Sequence, residues 1–216
     1  MPIRGKTTIE VWKQALMFIL ENGEHFLDSN GRGAIEATNL QVTIETPEAD
    51  IEEPIKLLRR SDEWVYPAQE EIADIVTHKR LSPAYAYSYG PRIFNFNGAV
   101  DQIENYVIPL LKYDTKSRRA MVMIWNPIED CRMHNKLVPG IICIHFLLRR
   151  NKLNVTSIVR SNDFFFGWPA NTFQVFTLMK HVAESIGTAT GSITTFSMSA
   201  HIFSDEVAHI NKLLRS

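Results

Sequence analysis

Cysteine is scarce in this chain of 216 residues: Cys131 and Cys143 are the only two. A pair so placed supports neither a disulfide framework nor a zinc cluster. No set of His, Cys, Asp and Glu stands at metal-ligand spacing, so no metal site is expected. A dominant charge is lacking too. The formal net charge is −1, which excludes a global field drawing the chain to nucleic acid or to an anionic membrane. No apolar run reaches membrane-spanning length, and the first residues lack a signal-peptide core. A cytoplasmic protein is expected, with no membrane association and no direct nucleic-acid binding. Repeats, low-complexity tracts and long linkers are missing as well, so residues 1–216 read as one domain. Any anion site must be local, built from a few convergent arginines.

What is present is ordinary for a globular protein: 45% apolar and 22% charged residues. Residues 7–23 read as an amphipathic helix, with Thr7 or Thr8 as N-cap and Gly23 as stop. Alternation from Leu40 to Ile44 predicts a half-buried strand. Residues 50–82 are charged and irregular, with a short helix from Gln69 to His78. Residues 101–112 have helical spacing, and Ala120–Trp125 read as a short strand. GIICIHFLL and KLNVTSIV flank the turn-like RRNK and predict an antiparallel hairpin. Residues 170–186 form a helix, and SITTFSMSAHIF a last buried strand. Strands and helices without regular βαβ alternation indicate an α+β fold.

Three stretches could carry chemistry. In RSNDFFFGWPAN, residues 160–171, Arg160 and Ser161 could grip a phosphate while Asp163 and Asn171 read a heterocycle edge. On spacing alone, the plainer reading of the same residues is a turn into a helix. Ser117-Arg118-Arg119 could converge on one anion or form a solvated pair. Asn30-Gly31-Arg32-Gly33 could offer backbone amides and a guanidinium to a phosphate, though it is too short for a Walker motif. His201 sits on an apolar strand, where a satisfied core histidine is the plainer reading. No G-x-S-x-G elbow occurs.

Taken in order, these pieces resemble the thymidylate synthase superfamily. VPGIICIHFLLRRNKLNVTSIVRSNDFFFGWPAN is similar to its core run, and the RSND form resembles the branch of pyrimidine-nucleotide hydroxymethylases. TKSRRAMVMIWNP, SYGPR with VDQIENYV, ALMFILENG and SAHIF are similar to other family segments in the same order. The resemblance implies a mixed sheet packed with helices and a sheet-mediated homodimer. It implies a pyrimidine nucleoside monophosphate held by Arg32, Arg160 and Ser161, with Arg118 and Arg119 donated across the dimer interface. Asn171 and Asp163 would lie at the base, and the amide of Asn171 suits uracil. His201 would lie near the ribose. Tyr89 would assist proton removal, and Glu53 would match the family's buried glutamate.

The departures bear on chemistry. Counting back from Arg160 by the family spacing puts Gly140, after Pro139, where the family carries its cysteine nucleophile. Glycine has no side chain to add to the pyrimidine ring. Cys143 lies three positions on, an odd offset that alternation points away from the pocket. His145 replaces a glutamine and Phe203 a tyrosine. The chain ends soon after Phe203, without the family's closing segment, and residues 50–82 are compressed where part of the folate wall is expected. Tetrahydrofolate, the family's cofactor, is therefore not an expected requirement, and no other cofactor is implied. Three functions stay open: an enzyme that changes the base or hydrolyses the N-glycosidic bond without a cysteine adduct, using Glu53, Tyr89, His145 or His201; an inactive nucleotide-binding dimer partner; and a folate-dependent transferase working by another route.

Overall fold

The structure is a computed structural model describing residues 2–79, 89–134 and 137–215. A short strand, β1 (Pro2–Gly5), leads into helix α1 (Thr8–Asn22). Thr7 caps that helix: its hydroxyl accepts the Glu10 amide while the Glu10 carboxylate accepts the Thr7 amide. Val11, Trp12, Ala15, Leu16 and Ile19 form its buried stripe, and Gly23 ends it. Strands β2 (Glu24–Leu27) and β3 (Gly33–Ile44) follow, β3 starting well before the expected Leu40. The charged stretch holds two helices, α2 (Glu53–Arg59) and α3 (Gln69–Thr77), of which only the second was expected. Helix α4 (Tyr89–Phe94) carries the SYGPR segment, whose Ser88 lies outside the described residues. The helical spacing at 101–112 forms a wide π-type turn over Ile103–Val107 and then α5 (Ile108–Tyr113).

Strand β4 (Met121–Met123) and the short helix α6 (Pro127–Asp130) precede the expected hairpin, β5 (Ile141–Arg149) and β6 (Lys152–Asp163). Its turn puts both Arg150 (φ 53°) and Asn151 (φ 57°) in the left-handed region, as a two-residue type I′ turn needs. The strand therefore runs through the RSND stretch, and the turn comes after it. Helix α7 (Gly167–Ile186) is the crossover that lets β6 and β7 (Ala189–Phe203) lie parallel. Helix α8 (Val207–Arg215) closes the chain, burying Ile210.

These strands make one seven-stranded mixed sheet in the order β1-β3-β7-β6-β5-β4, with β2 also on β3. Helices α1 and α7 pack on it over a core that includes Trp12, Phe146, Phe164, Phe165 and Trp168, all fully buried. This is the α+β arrangement expected. In β6 and β7, Val155, Ser157, Val159, Ile193, Thr195 and Ser197 are buried, while the intervening positions are half exposed. One face therefore meets the helices, and the other carries rows such as Met123–Cys143–Ile158–Phe196.

The alternation breaks at one aligned place in four strands. Two partly or fully exposed residues occur in succession at Thr38–Asn39, Arg160–Ser161 and Met198–Ser199. Register pairs Ser161 with Ser199 and Ser199 with Thr38. Asn39 has φ 57°, and β5 carries a bulge between Ile141 and Cys143. Such breaks swap the buried face and bend the strands. They separate a regular half of the sheet from an end formed by the start of β5, the ends of β6 and β7, and the start of β3.

Candidate functional site

Most of the predicted site residues meet at that bent end. Gly140 stands before β5, and its carbonyl accepts the Arg160 amide at 2.9 Å. A Cβ added to Gly140 would lie 3.5 Å from the Tyr89 hydroxyl and 3.5 Å from the Ser161 carbonyl, ordinary contact distances. Tyr89, at the start of α4, is buried, and its Oη accepts the Ile141 amide at 3.4 Å. Arg160 donates from Nε to the Pro139 carbonyl at 2.9 Å and from Nη2 to the Val138 carbonyl at 3.0 Å. Its guanidinium thus ties down the segment leading to Gly140. The bulge between Ile141 and Cys143 interrupts the alternation from which the facing of Cys143 was expected. Cys143 is nonetheless buried in the row with Met123 and Ile158, and burial pushes its thiol up, disfavouring the thiolate.

Asp163 and His201 are paired in the β6–β7 register. Asp163 Oδ1 accepts the amides of Phe165 (2.8 Å) and Phe166 (3.1 Å), turning the chain into α7. Burial raises the Asp163 carboxyl despite those bonds, and burial lowers the His201 imidazole despite Asp163. Both effects favour the neutral forms.

Arg32 also reaches this end, but with its charge engaged. It donates to Asp205 from Nε (3.1 Å) and Nη2 (2.7 Å), and from Nη2 to Glu206 at 3.2 Å. Its guanidinium carbon stands 3.5 Å from the centre of the Phe203 ring. The amides of its loop turn inward: those of Asn30 and Arg32 donate to the Asp28 carboxylate, and that of Gly31 to the Asp28 carbonyl. The amides of Asn30, Gly31 and Arg32 are therefore not turned outward as the phosphate cradle this loop could have offered. Glu206, 4% exposed, is pushed up to about 7, by burial first and then by Asp163.

Asn171, on the first turns of α7, lines a cavity of about 330 Å³ with Tyr66, Ile72, Tyr89, Phe166 and Gln174. Tyr89 therefore joins this cavity to Gly140. Tyr66 donates to the Phe166 carbonyl at 2.6 Å, and burial raises its phenol above the usual range. Gln174 is 3% exposed, and its Oε1 has no hydrogen-bond partner among the described residues.

Four predicted residues lie elsewhere. Glu53, on α2, pairs with Lys56 at 3.0 Å beside Phe176 and Lys180. His145 bonds through Nε2 to the Arg118 carbonyl at 3.0 Å and sits in register with Met121. Arg118 and Arg119 are exposed ahead of β4, and their guanidinium groups point to no ion-pair partner among the described residues.

Sequence reasoning missed Arg92, Asn162 and Glu206. Arg92 forms a bidentate pair with the buried Asp130. Burial would raise the Asp130 carboxyl, but Arg92 and the Asn126 amide hold it below the ordinary value. Its place in SYGPR was the available signal. Among the described residues, no group of three His, Cys, Asp or Glu side chains could hold a metal ion, and no helix is long and apolar enough to cross a membrane.

Residues 58–216 match the family model described as thymidylate synthase. A "Putative thymidylate synthase" of Methanosarcina barkeri is 32% identical over 99% of this chain and 94% of its own length. One of Methanococcoides burtonii is 33% identical over the same shares. The solved structure titled thermostable thymidylate synthase A from Bacillus subtilis superposes with a TM-score of 0.65. It is 20% identical and covers 97% of this chain and 84% of that one, a likeness of fold.

Proposed function

The chain belongs to the thymidylate synthase family, and from that premise we propose that its bent end binds a uracil-type nucleoside 5′-monophosphate and changes it without a cysteine adduct. The observation that carries this reading is the setting of Gly140. A side chain there would face the Tyr89 hydroxyl and the Ser161 carbonyl beside the Asn171 cavity, but glycine supplies no nucleophile. Arg160 and Ser161 hold the phosphate in this reading, with Arg32 joining when it leaves Asp205. Of the four acid–base candidates, Tyr89 and His201 stand at this end, whereas Glu53 and His145 do not. Hydrolysis of the N-glycosidic bond suits that equipment. Water adds to C1′, the N1–C1′ bond breaks, and the departing base takes a proton.

A homodimer completes the site. The sheet face away from the helices presents Met121, Met123 and Met198 at 40–42% exposure, apolar surface that a second copy would cover. Arg118 and Arg119, both exposed, would then reach the neighbouring phosphate. Tetrahydrofolate would find fitting chemistry in the cavity: Tyr66 and Phe166 would offer aromatic surface to its flat ring, and the Gln174 carbonyl would accept an N–H. When bound it supplies a one-carbon unit.

A second reading, binding without turnover, is favoured by one observation: Arg32 is already satisfied by Asp205 and Glu206. Incubation with pyrimidine nucleoside monophosphates, with and without tetrahydrofolate and formaldehyde, followed by mass spectrometry, separates the readings. Free base is the expected product. A mass gain that needs folate would replace hydrolysis with one-carbon transfer, and saturable binding without product would establish the second reading.

A further inference from the structure

Asn162 lies between two elements of the site, is 1% exposed, and has no place in the readings above. Its Nδ2 donates to Ser197 Oγ at 3.0 Å, and its Oδ1 accepts from Asn171 Nδ2 at 3.1 Å. The three residues sit on different elements: Ser197 on β7 just before the bend, Asn162 on β6 just after it, and Asn171 on α7 at the cavity wall.

The consequence follows from the chemistry of a carboxamide. Its oxygen and nitrogen ends are nearly equal in size, so a free asparagine can turn over and present either order of donor and acceptor. The two pyrimidine edges differ in that order. Uracil sets a ring N–H donor beside a carbonyl acceptor, and cytosine sets a ring nitrogen acceptor beside an amino donor. An asparagine free to turn would therefore accept both. In this chain, turning Asn171 over would bring its Oδ1 against Asn162 Oδ1, two acceptors in contact with no proton between them. That arrangement leaves a buried polar group unsatisfied and is disfavoured. With one Nδ2 hydrogen committed to Asn162, Asn171 keeps its Oδ1 and second Nδ2 hydrogen in one fixed order.

We propose that Asn162, anchored by Ser197, is a positioning residue that fixes the Asn171 carboxamide and so makes the pocket select the uracil edge over the cytosine edge. This rests on the nucleotide-binding reading and deepens it. Neither Asn162 nor Ser197 touches the ligand; both act through Asn171. A merely structural role would lower all affinities together, so the diagnostic quantity is the ratio of affinities for the two bases.

The test is calorimetric titration of dUMP and dCMP into the full chain and its variants, each first checked for folding by circular dichroism. The wild type is expected to prefer dUMP by about tenfold or more, the scale of one misdirected hydrogen bond. Asn162→Ala should bring the ratio close to one. Asn162→Asp keeps an acceptor for Asn171 and an acceptor for the Ser197 hydroxyl, so it should retain the preference. If Asn162→Ala fails to fold, Ser197→Ala, which frees Asn162 to swing, should lower the ratio in part. An unchanged ratio in the folded Asn162→Ala or Ser197→Ala variant overturns the proposal while leaving the nucleotide site standing. A wild type that binds both bases equally overturns it too. A wild type that binds neither nucleotide overturns the site and this proposal together.

Discussion

The two ends of the sheet are built on different terms. On the hairpin side of the bend, β6 and β7 alternate strictly, and Val155, Val159, Ile193 and Phe146 bury apolar surface under α7. Beyond the bend the same strands carry Arg160, Ser161, Asn162, Asp163, Ser199 and His201, and burial acts there on polar groups. Its marks are a raised Asp163 carboxyl, a lowered His201 imidazole and a Glu206 pushed up to about 7. Hydrophobic burial stabilises the first region. The second holds ionisable groups out of water, which costs stability and suits a site that handles a charged ligand.

This contrast can be broken by mutation, and the largest effect is expected in the regular half. Phe146→Ala removes a fully buried ring and should cost about 3–5 kcal/mol in denaturant unfolding, without changing relative affinities for nucleotides. A changed base preference would show that the two regions are not separable. Next, Arg160→Ala should weaken a nucleoside monophosphate by about a hundredfold while sparing the nucleoside. Calorimetry giving equal losses for both would remove Arg160 from the phosphate.

Glu206 offers a pH test. Its folded value of about 7 exceeds the ordinary 4.5, so the folded state holds the proton more tightly than the unfolded state. Its contribution to stability therefore falls as pH rises from about 4.5 to about 7 and stays low above that. Glu206→Gln keeps the carbonyl and removes the charge. At pH 8 it should be more stable than wild type by on the order of 1–3 kcal/mol, and near equal at pH 5. Thermal melts giving the opposite ordering would contradict the assignment.

A smaller recovery tests the dimer. Random pairing of Arg119→Ala chains with Arg160→Ala chains should restore about a quarter of intact sites, counted by nucleotide binding. No recovery would argue against a shared site. The smallest effect belongs to Gly140→Ala. Its Cβ finds only ordinary contacts, and the backbone is not in the left-handed region, so stability should move by no more than about 0.5 kcal/mol. A large loss would mean that the backbone itself requires glycine.

Much of the regular half was legible in the sequence. The Thr7 cap with Gly23, the β5–β6 hairpin and the α7 stripe are local signals, and the structure repeats them. The resemblance pointed to Arg160, Ser161, Asp163, Asn171, Tyr89 and His201, which the fold gathers at one end. Short elements were harder to read: β1 and β2 gain their order by pairing with β3, and α2 sits in a run too charged to show periodicity. The bend itself was invisible, because a bulge at Ile142 and a left-handed Asn39 leave no local composition signal. That is why strand alternation alone could not place Cys143. Long-range ionic pairing was equally hidden. Arg32 meets Asp205 and Glu206 from the far end of the chain, and no spacing rule reaches that distance.

The most direct test of the nucleotide site is a crystal structure of the protein grown with dUMP. The phosphate should lie against Arg160 and Ser161, with the uracil edge on Asn171 and Tyr89 close to the base. Nucleotide seated away from the bent end, or crystals grown at saturating dUMP that contain none, would contradict it.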